Sequence, residues 1–333
     1  RYWKVCPFYD EDRGCQYNQY PQNISPSFAK WVVSGNLQSR GTSMTYSIVA
    51  KCSATGQYGV AIQSHFFAAG NACWAKSGVG AVATQAMALI DYGPLGLELM
   101  EQGLSATEAL QQRLNEDEAP EIRQVAMVDS TGIVAAHTGS QTVPAAGHVI
   151  GEGFSCQANL MWSETVTQAM AEAFVNADGD LARRMLSAMV AGEEAGGDLR
   201  GMQSGRILVV SPNKMEKTWE EIVVDVSVDD HPEPLSELSR LLDIHSIYSK
   251  LLNDDLDFDL HISDARKFPE IAFWMGVDLA NSGKDEEARK FANIALQQHS
   301  GWQELLIRCS KNGLIGITEE TVRILLGEDH GAI

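Results

Sequence analysis

The sequence predicts an α+β fold, a four-layer αββα sandwich followed by a small all-α C-terminal extension. Three observations carry this expectation. Between residues 44 and 231 the pattern runs strands, helix pair, strands, helix pair, strands, an order that suits antiparallel sheets covered by helices. Two prolines, Pro232 and Pro234, then end the strand-rich region. Beyond them only helical periodicity remains, which assigns residues 232–333 to a helical region.

Residues 1–43 mix aromatics, Pro, Gly, Asn and Gln with neither a helical nor a strand period, and the chain opens on Arg1. They are expected to be a leader, either an upstream translation artefact or a pro-segment, and to be dispensable for folding. From Thr45 the pattern changes. "TYSIVAK" and "YGVAIQS" read as two short strands bridged by "CSATGQ", where Gly56 supplies the turn. "GVGAVATQ" (78–85) reads as a third strand whose glycines allow close backbone approach.

Helices follow over 93–103 and from Ser105. The first stops at Gly103, and the second opens with Ser105 and Glu108 in capping-box spacing. "RQVAMVDSTGIVAAHTG" (123–139) alternates as two strands around Ser130-Thr131-Gly132, and "HVIGEGFSCQAN" (148–159) is expected to continue that sheet. Two helices are predicted near 163–175 and 180–194, where Ala, Met and Leu recur at helical period, and strands return at 206–211 and 221–228. In the tail, the segment from Pro269 reads as helix, turn at Ser282-Gly283-Lys284, helix, turn at Ser300-Gly301, helix. This has the spacing of one tetratricopeptide-like hairpin without a second copy, so it needs a surface to pack on, the main domain or a sister subunit. A last helix is expected after Thr318.

Composition narrows the function classes. The 333 residues carry 44 Asp+Glu against 25 Lys+Arg, and the net charge of −19 repels nucleic-acid phosphates and anionic membrane surfaces. No apolar run reaches the ~20 residues that span a bilayer. The six cysteines show no CxxC, three sit in apolar contexts, and the first twenty residues lack a basic stretch followed by an apolar one, so a cytoplasmic location is expected. His65, His137 and His148 lie in separate segments without metal-ligand spacing, and neither GxGxxG after a strand nor GxxxxGK[ST] occurs. Neither a metal nor a cofactor is expected.

Met44 stands directly before Thr45 and the first strand. If Met44 is the start, an aminopeptidase removes it and leaves Thr45 with a free amine beside its own hydroxyl. The bland reading is a β-branched residue that opens a strand.

Blocks from "MTYSIVA" (44–50), "GVAIQSHFFAAG" (59–70), "GVGAVATQA" (78–86) and "YGPLGLELM" (92–100) through "GEGFSCQANLM" (151–161), "GGDLRGMQSGRILVV" (196–210) and "VDDHPEPLSELSRLLDIH" (228–245) occur in one order. In these blocks the chain resembles the bacterial domain of unknown function 1028 family, which is grouped by fold with the N-terminal nucleophile (Ntn) hydrolases. The resemblance implies an Ntn-hydrolase-like sandwich over residues 44–231, and cofactor-free cleavage of an amide bond in a small molecule or short peptide through an acyl-enzyme on Thr45. It gives no substrate. An α-amine titrates near 7.7–8.0 and so accepts the hydroxyl proton of its own residue at neutral pH. The rival expectation is a non-catalytic binding or assembly protein that keeps the fold and never frees the threonine.

Other candidates surround Thr45 in this reading. Ser64 and His65 end the second strand, where polar residues orient a nucleophile or, alternatively, satisfy backbone. Thr84, Gln85, Gln157 and Asn159 are candidate substrate or oxyanion donors, or buried amides that tie loops together. Gly-rich "GGDLRGMQSG" (196–205) presents Asp198, Arg200 and Ser204, with Arg200 as a carboxylate clamp or as half of a structural ion pair. Lys76 is either a cation that tunes the amine or an exposed lysine. The helical tail is expected to mediate homo-oligomerisation.

Overall fold

The computed structural model describes residues 45–252, 267–314 and 316–327. The expected leader and Met44 lie outside these residues, as do Cys6 and Cys15. The fold is mixed α+β, with two antiparallel sheets and, among the described residues, nine α-helices.

Strands β1 (Thr45–Lys51) and β2 (Tyr58–Ser64) form the expected hairpin, in the register Thr45↔Ser64 to Lys51↔Tyr58. The strand expected over 78–85 is the fourth of the fold, and an unforeseen short strand precedes it. β3 (Cys73–Lys76) turns at Ser77-Gly78 into β4 (Gly80–Ala86), so Gly78 belongs to the turn. Gly80, at φ +152°, lies so close to β5 (Arg123–Asp129) that a Cβ would stand 2.0 Å from the Val128 carbonyl oxygen. That position tolerates only glycine.

Helices α1 (Tyr92–Glu101) and α2 (Ala106–Glu116) follow, the second with the predicted reciprocal cap: Glu108 N–H donates to Ser105 Oγ and Ser105 N–H to Glu108 Oε2. β5 and β6 (Val134–Thr138) pair around a turn closed by Asp129 Oδ1, which accepts from the N–H groups of Thr131 and Ile133. β7 (Gly147–Gly151) and β8 (Phe154–Asn159) do not extend that sheet as expected. β8 pairs with β1 instead, Thr45↔Asn159 through Ala50↔Phe154. Alternation identifies a strand, but it does not say which neighbour the strand takes. After α3 (Val166–Asn176), α4 (Leu181–Glu194), β9 (Ser204–Val210) and β10 (Ile222–Val228), the sheets are ordered β10-β9-β2-β1-β8-β7 and β3-β4-β5-β6.

Side chains alternate across each strand, and this sorts the core. Tyr46, Ile48 and Ala50 of β1 join Met170 and Phe174 of α3 and Leu181, Met185 and Met189 of α4. On the other face, Val49, Val60 and Ile62 meet Ala81, Ala83, Ala126 and Val128 of the smaller sheet. Beyond that sheet, Val82, Val125 and Met127 pack on Tyr92, Leu97, Met100 and Leu110 from α1 and α2. Each fully buried Ile or Met contributes about 1.5–3 kcal/mol of transfer free energy. Helix α5 (Pro234–Leu252) was expected to lead away from the strand region at residue 232, yet its Leu235, Leu238 and Leu242 belong to the first of these clusters. Its apolar stripe finds the outer face of the larger sheet within reach.

The tail has its own core. Helices α6 (Pro269–Asn281), α7 (Asp285–Leu296), α8 (Gly301–Lys311) and α9 (Glu319–Leu326) bury Phe273, Val277, Ala288, Ala292, Leu306 and Val322 together. Small residues let α6 and α7 approach, and the Phe273 ring packs on Trp302 with centroids 4.9 Å apart. Thr318 caps α9, with Thr321 as the reciprocating partner. No helix among the described residues is long and apolar enough to cross a membrane.

Candidate active site

Odd-numbered residues of β1 point between the sheets, as Val49 does, so Thr45 and Ser47 share that space. The same alternation aims Ser64 of β2, Gln85 of β4, Gln124 of β5, Thr138 of β6, His148 of β7, and Ser155, Gln157 and Asn159 of β8 into it. The inter-sheet layer is therefore apolar at one end and polar at the other, and the polar end holds Thr45.

Thr45 Oγ1 donates to Ser64 Oγ at 3.1 Å, in the first rung of the β1–β2 ladder. Ser64 Oγ in turn lies 3.5 Å from Arg200 Nη2. Arg200 is seated on Asp198 through Nη2–Oδ2 at 3.0 Å and Nε–Oδ1 at 3.2 Å, and its own backbone N–H donates to Asp198 Oδ1 at 2.9 Å. The Asp198 carboxylate is completely buried and also accepts the His65 N–H at 3.1 Å. The Gly-rich loop thus presents an ion pair beside Ser64, as its composition suggested. Asp198 occupies the Nε/Nη2 edge of the guanidinium. Gly197, at φ +55°, allows the tight approach: a Cβ there would stand 2.2 Å from the Glu193 carboxylate.

A second network starts beneath Thr45. Ser155 Oγ donates to Gln157 Oε1 (3.0 Å), Gln157 Nε2 to Ser47 Oγ (2.6 Å), Ser47 Oγ to Gln85 Oε1 (2.6 Å), and Gln85 Nε2 to Gln124 Oε1 (2.6 Å). Gln124 Nε2 then donates to Thr138 Oγ1 (2.9 Å), which also lies within hydrogen-bond distance of His148 Nδ1, at 2.8 Å. From Ser155 to Thr138 every donor points the same way along this chain, and such chains polarise their members cooperatively. Two branches reach the nucleophile candidate: the Thr45 carbonyl oxygen accepts from Gln85 Nε2 at 3.1 Å and from Asn159 Nδ2 at 3.3 Å.

The structure brings together Thr45, Ser64, Asp198, Arg200, Gln85, Gln157 and Asn159. The amide nitrogens of Gln85, Gln157 and Asn159 donate to acceptors within the protein. The other candidates are placed differently. Thr84 lies on the opposite face of β4, with Val82 toward α1, and its hydroxyl is buried. Ser204 donates to the Phe66 carbonyl (2.6 Å) and accepts from Ala69 N–H (3.0 Å), so it anchors the 66–69 turn. The His65 ring is exposed, and its backbone rather than its ring meets Asp198. Lys76 pairs with Glu101 on the surface at 2.5 Å.

Sequence reasoning missed Ser47, Gln124, Ser155 and Thr138 as parts of the site. The available signal was the alternate polar residues Thr45/Ser47 and Ser155/Gln157/Asn159 at inward positions of otherwise apolar strands. It also missed Glu193, which accepts at 2.9 Å from the hydroxyl of Tyr46, the residue after Thr45. Burial pushes the Glu193 carboxyl above its ordinary range and the Asp198 charge adds to this, against the opposing effect of Tyr46.

Among the described residues no group of three or more His, Cys, Asp or Glu is disposed to hold a metal ion. Cys52, Cys73 and Cys156 are buried free thiols, and burial pushes Cys73 up to about 12, far from a thiolate at neutral pH.

Comparison with known proteins places the chain. No curated protein matches it. Among solved structures, the crystal structure of protein SPO2555 from Silicibacter pomeroyi, described as DUF1028, is 28% identical, with a TM-score of 0.54 over 60% of this chain and 88% of that one. The sequence model described as "Family of unknown function (DUF1028)" matches residues 45–238, more than half of the chain and all of the candidate site. The match begins at Thr45 itself, and through it the chain belongs to the DUF1028 family.

Proposed function

We propose that this protein is an Ntn-type hydrolase that cleaves a C–N amide bond of a small molecule or short peptide, with Thr45 as nucleophile once it is the first residue. The two sheets with helix pairs on their outer faces are read as the four-layer αββα arrangement of that superfamily. The observation that carries the proposal is the Thr45 hydroxyl, held at 3.1 Å on Ser64 at the polar end of the inter-sheet space, in the residue where the family match begins.

In this mechanism the Thr45 α-amine takes the hydroxyl proton, directly or through one water, as Oγ1 attacks the substrate carbonyl carbon. The C–N bond breaks, the leaving amine carries the proton away, and water hydrolyses the resulting ester. Ser64 orients Oγ1, and Arg200, fixed by Asp198, supplies positive charge beside it. The alternative of a ligand-binding or assembly protein is favoured by one observation: Met44 precedes Thr45, so in the full chain the Thr45 amine is a peptide nitrogen.

Intact mass of the purified protein, followed by a screen of amide, lactam and carbamoyl compounds, tests the proposal. A species that begins at Thr45 with hydrolytic activity, lost in Thr45→Ala and partly kept in Thr45→Ser, is expected. A protein that keeps residue 44 and binds compounds without turning them over belongs to the alternative.

A further inference from the structure

Gln124 is fully buried and stands on the smaller sheet, yet most of its partners belong to the larger one. Its two Nε2 hydrogens are shared among three acceptors, the Ala158 carbonyl at 2.9 Å, the Gly147 carbonyl at 3.0 Å and Thr138 Oγ1 at 2.9 Å. Its Oε1 accepts from Gln85 Nε2 at 2.6 Å and Asn159 Nδ2 at 3.0 Å. Those two amides are the ones that hold the Thr45 carbonyl oxygen, at 3.1 and 3.3 Å. An amide side chain can turn about its last torsion, and one acceptor oxygen shared by two neighbouring amides fixes both of them.

We propose that Gln124 is a positioning residue for Thr45, acting through Gln85 and Asn159 from the facing sheet so that the nucleophile sits at a fixed depth between the sheets. This rests on the reading of Thr45 as nucleophile. A β-strand terminus is the least restrained part of a ladder, and Thr45 opens β1; the amide clamp supplies the restraint that a following rung supplies elsewhere. Gln124 touches no reacting atom, so its loss acts on the rate of acylation and leaves substrate affinity alone. Misplacement of a nucleophile by about 1 Å costs on the order of 10²-fold in rate.

The test expresses the full chain, isolates the species whose mass places Thr45 first, and measures acylation by an electrophilic amide mimic over a range of mimic concentrations. Gln124→Leu and Gln85→Met are each expected to lower the limiting acylation rate about 10²-fold, with half-saturation within twofold of wild type. Gln124→Glu supplies the rescue. Ionised, its carboxylate faces the Ala158 and Gly147 carbonyls without a proton to donate; protonated, it donates to one of them and still accepts from Gln85 and Asn159. Its rate relative to wild type rises as pH falls. Should Gln124→Leu fail to fold, Gln85→Met and Gln124→Glu decide. Folded variants that acylate Thr45 at the wild-type rate, or a Gln124→Glu ratio independent of pH, overturn the positioning role and leave the nucleophile standing. Wild-type protein that never acquires label on Thr45 removes the nucleophile reading and this proposal with it.

Discussion

The Thr45 hydroxyl donates to the Ser64 hydroxyl at 3.1 Å, and Ser64 stands 3.5 Å from an Arg200 guanidinium that Asp198 holds in place. The hydroxyl of Thr45 is therefore oriented by β2 and the Gly-rich loop, while its carbonyl is held from β4 and β8. Its two polar handles answer to different parts of the fold, and the two can be separated by mutation.

Ser64→Ala removes the acceptor for the Thr45 hydroxyl without disturbing the amide clamp. One neutral hydrogen bond is worth about 0.5–1.5 kcal/mol, so acylation is expected to slow roughly 3- to 10-fold with little change in melting temperature. Single-turnover kinetics on Ser64→Ala check this, and an unchanged rate speaks against an orienting role.

Asp198→Ala leaves Arg200 without its carboxylate and the His65 N–H without its acceptor. The expected loss of stability is about 1–3 kcal/mol, the cost of unsatisfied buried partners. Denaturant unfolding measures it, and Asp198→Asn, which keeps an acceptor oxygen, is expected to lose less. Equal stability of all three proteins would contradict the assigned contacts.

His148 titrates below the ordinary histidine range, because partial burial disfavours its charged form and His137 adds to this. The ring is tied to the inter-sheet network through Thr138 Oγ1, 2.8 Å from its Nδ1. A lowered folded value means that the unfolded chain binds the proton first as pH falls. His148 therefore contributes stability that is present above pH ~6.5, is lost as pH drops through the histidine range, and levels off below the folded value. Melting curves of wild type and His148→Gln between pH 8 and 5 are expected to converge or cross on the acid side. Parallel curves would reject the link.

The helical tail buries its own aromatic and alanine core around Phe273, and this hairpin is expected to mediate association between subunits. Light scattering after removal of residues 253–333 checks the expectation. A smaller assembly supports it, and an unchanged mass rejects it.

How legible these features were in the sequence depended on the range of the physics behind them. The Ser105–Glu108 cap and the β1–β2 hairpin rest on contacts a few residues long, so spacing alone revealed them. The family resemblance fixed the block from Thr45 onward. Which sheet β7 and β8 join was not legible, because the partner of Asn159 is Thr45, more than a hundred residues away. The role of Gln124 was hidden for the same reason: its three acceptors come from β6, β7 and β8, and nothing local distinguishes a buried amide that spans two sheets from a surface glutamine. Thr84 and Gln85 are adjacent in sequence but face opposite layers, so only one of the pair reaches the site.

The measurement that bears most directly on the account is adduct mapping. The protein that begins at Thr45 is incubated with an electrophilic amide mimic, digested and sequenced by mass spectrometry, beside the same protein with its N-terminal amine blocked. Label on Thr45 is predicted, formed faster as pH rises through roughly 7–8, where an α-amine loses its proton, and absent from the blocked protein. Label on Ser64, Ser204 or a cysteine, or equal reaction of the blocked protein, would contradict the N-terminal nucleophile mechanism.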